Sequence, residues 1–255
     1  SGRVTQVDAD QYMVPDRSMD PRWSPDSRWI AYTKRLATQL HVIYVHDTQS
    51  GRSTALTDGM SDAVAPAWDA SGKHLWFLAS TNFGLQTGWL DMTAFSRPTA
   101  RSLYVALLRA GEPSPLLPES DEESVGAAAP ARPAASTTAT PTVSPPPNPV
   151  TIDFAGLANR IVAVDLPARD YSSLEAGPTG VVFFLETVPD NGTGGNPTSV
   201  LHRYQLKERK AAPFAAGATQ FGLSADRRKV LYQVNGAWAI ADADKAAPSG
   251  EIGRA

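Results

Sequence analysis

The chain has 255 residues, 23 Lys and Arg against 26 Asp and Glu for a formal net charge of −3, and a hydrophobic fraction of 42%. This length suffices for one large all-β domain or two ordinary ones, each with a sizeable core. The absence of cysteine excludes disulfides, thiolate metal sites and a Cys nucleophile, and the scattered basic residues form no stripe of the kind that marks nucleic-acid or anionic-membrane binding.

No run of about 18 apolar residues occurs, so no membrane insertion is expected. The opening SGRVTQVDAD lacks the basic and apolar regions of a signal peptide, and the chain reads as an excerpt of a longer one.

The first clear element is SPDSRWIAY at 24–32, in which small and polar turn formers feed an alternating, aromatic strand. The pattern returns as DASGKHLWF (69–77), AGPTGVVFF (176–184) and SADRRKVLY (224–232), with starts 45, 107 and 48 residues apart. A period in the forties suits one four-stranded propeller blade, and the long interval carries insertions.

A second element follows each copy. HVIYVHDTQSGRSTALT (41–57), RSLYVALLRAGEPSPLL (101–117) and SVLHRYQLKERKAAPF (199–214) each read as strand, polar turn and strand, whereas GAWAIADADK (236–245) stops after one strand. The prediction is an all-β chain, residues 1–255 forming part of a β-propeller with about three and a half antiparallel four-stranded blades. On this scheme GRVTQVDAD is the tail of an earlier blade. The competing architecture is a β-sandwich whose turns resemble one another by composition alone.

The long interval contains GAAAPARPAASTTATPTVSPPPNP at 126–149, with seven prolines, one charge and no aromatic. Such a stretch buries too little to offset its ordering entropy, so a disordered or polyproline-like insertion is expected, preceded by the acidic PESDEES at 118–124. TIDFAGLANRIVAVDLPARDYSSLEAG (151–177) does not fit the simple blade template, although within it RIVAV (160–164) alternates like a strand and ARDYSSLEAG (168–177) reads as a loop.

These stretches carry a family resemblance. The turn repeat is shared by the periplasmic Tol-system propeller, prolyl oligopeptidase relatives and tricorn proteases. AWDASGKHLWFLASTNFG, PSPLLPESDEE and IDFAGLANRIVAV resemble the second, seven-bladed propeller of tricorn-type serine proteases. The resemblance implies a propeller segment of a large, homo-oligomeric serine peptidase with PDZ and catalytic subdomains elsewhere, and a ring that passes unfolded peptides towards the active site. It favours the cytoplasm, with the periplasm left open. The Ala- and Pro-rich insertion departs from the family pattern, and no catalytic residue can be carried over. The alternative is a freestanding periplasmic scaffold propeller that binds protein partners on its rim.

Chemistry-bearing residues are sparse. His41, His46, His74 and His202 all fall in strands, where local hydrogen bonding accounts for them. No G-x-S-x-G elbow precedes a helix. His41 and His46, five apart on one strand, point to opposite faces and cannot share a metal. NGTGGNP (191–197) has glycines but no helix or lysine to make a phosphate cradle. No catalytic, cofactor or metal site is expected.

Trp23, Trp29, Trp68, Trp76 and Trp238 are expected to pack between blades. Trp89 and Phe95 differ, because they lie in a loop of fifteen residues at 84–98 where a tight turn would serve. That loop is the expected channel lining or interface.

Overall fold

The computed structural model describes residues 2, 4–11, 19–82, 99–117, 149–189 and 197–245. Within them the chain folds into consecutive antiparallel sheets. Blade 1 comprises β1 (Arg22–Trp23), β2 (Trp29–Arg35), β3 (His41–Asp47) and β4 (Arg52–Ala55). Blade 2 comprises β5 (Asp62–Trp68), β6 (His74–Ser80), β7 (Ser102–Leu107) and β8 (Ile161–Ala163). Blade 3 holds β9 (Tyr171–Ala176), β10 (Val181–Val188), β11 (Thr198–Gln205) and β12 (Lys210–Ala216). The three-stranded blade 4 holds β13 (Ala218–Leu223), β14 (Lys229–Val234) and β15 (Ala237–Asp242). This is a β-propeller with the strand economy anticipated from the repeats.

All four repeat turns join the first and second strands of a blade, and their side chains explain the shared pattern. Ser24 N–H donates to Trp29 O at 2.8 Å, while Trp29 N–H donates back to Ser24 Oγ at 2.9 Å. Asp26 Oδ1 accepts from Ser24 Oγ and from the Arg28 N–H. Blade 4 repeats this with Ser224, Asp226 and Arg228. Ser27, Gly72, Gly180 and Arg227 supply the left-handed residue that closes each turn. The third turn, closed by Gly177 N–H to Val181 O, is one residue shorter than the others.

Strand alternation then sends neighbouring residues to opposite blade interfaces. Along β6, Leu75, Phe77 and Ala79 join the core shared with Trp29, Ile43 and Val45 of blade 1. Trp76 and Leu78 join the core shared with Leu174, Phe184 and Tyr204 of blade 3. Phe183, Leu201 and Phe214 pack against Val230 and Tyr232 of blade 4.

The structure corrects several expectations. Residues 101–117 supply only one strand, β7, because Pro113 and Pro115 remove the backbone donors that a second would need. The outer strand of blade 2 is instead β8, the RIVAV alternation in the stretch set aside as not fitting a blade, and Tyr171–Ala176 in the same stretch, expected to be a loop, is the first strand of blade 3, β9, paired with β10. The chain re-enters at the buried Val150, whose N–H donates to Asp26 Oδ2 at 2.7 Å and whose carbonyl accepts from Trp29 Nε1 at 3.2 Å. A 3-10 turn at Leu157–Arg160 then leads into β8.

The opening, expected to be the tail of an earlier blade, contributes no strand among its described residues. Residues 4–11 are irregular, and Asp8 holds them to β2 by accepting from Tyr32 Oη and Lys34 Nζ at 2.7 and 2.6 Å. Trp29, Trp68 and Trp76 are buried between blades, but Trp23 and Trp238 remain 57% and 43% exposed. Trp23 ends the two-residue β1 at the inner edge, and Trp238 lies on the last sheet, whose outer face no further sheet covers among the described residues.

Most of 126–149, and the loop holding Trp89 and Phe95, lie outside the described residues.

Candidate binding site at the inner strand ends

The first strands of adjacent blades touch in series, β1 to β5, β5 to β9 and β9 to β13, so they form the inner wall of the propeller. Where these strands end, side-chain and backbone bonds stitch the blades together. Trp68 Nε1 donates to Arg22 O at 2.9 Å, linking blades 2 and 1. The Leu223 N–H donates to Glu175 Oε2 at 3.0 Å, linking blades 4 and 3, and the Gly180 N–H donates to the fully buried Asp69 at 2.7 Å. Arg227 Nη1 donates to Trp68 O at 2.9 Å, reaching from the blade 4 turn to blade 2.

These links frame a cavity of about 210 Å³ lined by Arg22, Trp23, Trp68, Glu175, Leu223 and Arg227, among others. Its electrostatics are uneven. Arg22 lies 2.9 Å from Asp20 and 3.7 Å from Glu175. Its Nε is buried with no hydrogen-bond partner among the described residues. Burial raises the Glu175 carboxyl above its ordinary range, against the opposing pull of the Leu223 N–H and Arg22. Arg227 makes no ion pair within 4 Å among the described residues, and burial lowers its guanidinium from the usual value against the opposing charge of the buried Asp69. The site therefore combines a buried cation, a committed carboxylate and an exposed indole.

At the opposite ends of the strands the same side-chain types are matched. His41 Nδ1 lies 2.6 Å from the buried Asp62, which also faces Arg101 at 3.7 Å. Glu186 lies 2.9 Å from Arg169 and 2.7 Å from His202. Arg101 and Arg169 exchange backbone hydrogen bonds, so the two clusters adjoin. Burial depresses His202, whose ring stacks on Phe184, despite the neighbouring carboxylate.

The histidines assemble no catalytic constellation. His46 Nδ1 and Ser53 Oγ are 3.0 Å apart as cross-strand neighbours, with no carboxylate on the other ring nitrogen among the described residues. His74 is depressed by burial, as a β6 residue packed inside blade 2. No cluster of His, Asp and Glu suitable for a metal occurs among the described residues.

The comparisons with known proteins point one way. The model of the tricorn protease second β-propeller domain matches residues 1–244. This chain belongs to that family. Tricorn protease homolog 1 of Streptomyces coelicolor is 28% identical over 269 aligned residues, covering 98% of this chain and 24% of the relative. The chain thus spans about a quarter of that relative's length. The crystal structure of the tricorn protease superposes with a TM-score of 0.65 at 20% identity, covering 94% of this chain and 22% of that one. TolB from Acinetobacter baumannii gives 0.51 at 16% identity, covering 94% and 45%, which shows the shared propeller fold alone.

Residue reading from sequence passed over Arg22, Glu175 and Arg227. One signal was available. Arg227 occupies the left-handed turn position held by Ser27 and Gly72 in other copies, with φ of 60°, and a long cationic side chain is uncommon there. The backbone conformation costs stability unless the guanidinium's position compensates for it.

Proposed function

We propose that this tricorn-family propeller segment is a non-catalytic passage and docking surface for unfolded peptides within a larger serine peptidase. The observation that supports this is the inner wall itself. Four first strands end around one polar and aromatic opening, where Trp23 presents a largely exposed ring. An extended peptide can exchange hydrogen bonds with strand ends while its side chains meet the indole and guanidinium groups. The other domains of the parent protein and further copies of it are the remaining partners in this proposal.

The test uses the intact protein. This chain contains no cysteine, so a Trp23→Cys variant places a single thiol in this segment, which is alkylated with a bulky maleimide, and the equally treated parent protein serves as the control. Degradation of an unfolded protein should slow severalfold on blocking, with hydrolysis of a short fluorogenic peptide much less affected. Unchanged degradation of the long substrate would overturn the proposal.

A further inference from the structure

The cavity at the inner strand ends carries one more negative charge than a plain passage requires. Resting on the channel proposal, we infer that it is a subsite for a single organic cation on a peptide, an ammonium or guanidinium group, held between the Glu175 carboxylate and the indole of Trp23.

The argument starts from pairing, because three carboxylates act here on two guanidiniums. Arg22 turns to Asp20 at 2.9 Å, with Glu175 farther off at 3.7 Å. Arg227 donates to Trp68 O at 2.9 Å and feels the charge of Asp69. Asp69 is fully buried outside the cavity lining, where it accepts from the Gly180 N–H and from Ser71. Matching each guanidinium with its own carboxylate leaves Glu175 over.

Glu175 commits only one of its oxygens. Oε2 accepts from the Leu223 N–H at 3.0 Å, whereas Oε1 has no hydrogen bond among the described residues and is not closed off from solvent. Burial and the charge of Asp20 hold this carboxyl above its ordinary range, against the Leu223 N–H and Arg22. A cation brought to Oε1 relieves the cost of keeping a half-buried carboxylate charged.

The indole supplies the second wall. Trp23 is 57% exposed and lines the same cavity, and an aromatic face attracts a cation more strongly the less water lies between them. Leu174 and Leu223 add an apolar surface for the stem of a long charged side chain. The volume of about 210 Å³ suits one residue rather than a folded surface. A metal ion is the wrong match, because hard cations take six or more oxygens and this site sets one open carboxylate oxygen beside a ring.

Two sources present this chemistry to a peptide channel: a Lys or Arg side chain, and the α-ammonium group of a peptide's amino terminus. The subsite thus adds a preference to the passage. Segments bearing a positive charge are held, and acidic ones find no counterpart.

The test titrates the intact protein calorimetrically with n-butylguanidine and its uncharged isostere n-butylurea, and with alaninamide and N-acetyl-alaninamide. The first pair stands for a side chain and the second for an amino terminus, and none has a bond between two residues for a peptidase to cleave. At least one cation should bind at least about fivefold more tightly than its neutral counterpart. Glu175→Gln, which keeps an acceptor for the Leu223 N–H, should erase that preference. Trp23→Ala should weaken the cation severalfold with an unchanged melting temperature. A preference for n-butylguanidine alone assigns the subsite to side chains, for alaninamide alone to amino termini, and for both to positive charge from either source. Equal binding of cation and neutral counterpart, absence of binding by all four probes, or a preference indifferent to Glu175→Gln or to Trp23→Ala would overturn the subsite. In that event, slowed degradation after the maleimide block at Trp23 leaves the channel proposal standing, and unimpeded degradation removes both.

Discussion

The two ends of the inner strands use the same side chains to opposite effect. At one end, Asp62 and Glu186 are buried and each faces an arginine and a histidine, so charge is matched within the fold. At the other, Arg227 donates to a carbonyl and Glu175 accepts from a backbone N–H, which ties the blades together, while the charge of the buried Asp69 acts on Arg227 without a direct ion pair. The matched end behaves as structure. The other end joins neighbouring blades through bonds between side chains and backbone.

Breaking the matched end should have the largest effect. Asp62→Ala leaves His41 and Arg101 around a fully buried gap and removes the acceptor of the His41 N–H. A loss of about 3 kcal/mol is expected by denaturant titration. A loss under about 0.5 kcal/mol would show that this end is no more committed than the other.

A smaller, pH-dependent effect sharpens the same contrast. Burial beside Phe184 and the charge of Arg169 lower His202 below 6.5, with Glu186 opposing them. The unfolded chain therefore takes up the proton first as pH falls. Stability is fully present above about pH 6.5 and declines through the window between that value and the depressed folded one. Melting temperatures measured from about pH 7.5 to about pH 5 should show a shallower decline in His202→Gln than in the native chain. A parallel decline would place the titration elsewhere.

The smallest effect belongs to the open end. Trp23→Ala should change stability by less than about 0.5 kcal/mol, since the ring buries little on folding. A loss of about 2 kcal/mol would instead make Trp23 a packing residue, like Trp68 and Trp76.

The fold was legible because turn chemistry and alternation recur locally. Ser24 with Asp26, and Ser224 with Asp226, write the same turn twice in plain residues, and the strands behind them keep phase even where the third turn loses one residue. β8 was not legible. It has three residues, pairs with β7 across the whole long interval, and has no turn beside its partner to announce it, whereas PSPLL nearby imitates a strand in composition. The candidate site was hidden for another reason. Arg22, Glu175 and Arg227 are far apart in sequence and unremarkable singly, and only ring curvature brings the ends of β1 and β9 together with the turn after β13. The exposed Trp23 and Trp238 looked like Trp68 because a strand position does not state whether another blade follows.

The clamp at Val150 has a consequence for the order in which blades are built. Blade 1 can form from contiguous chain, while blade 2 must recruit its last strand from beyond the insertion. Val150 docks on Trp29 and Asp26, both of blade 1's first turn region, before the chain reaches Ile161. Once that contact is made, β8 closes a loop of about ten residues instead of about fifty, easing the entropic cost by about 1.5 kcal/mol. An already folded neighbour thereby templates the completion of the next blade, and the length of the intervening insertion becomes nearly irrelevant to the speed of that last step.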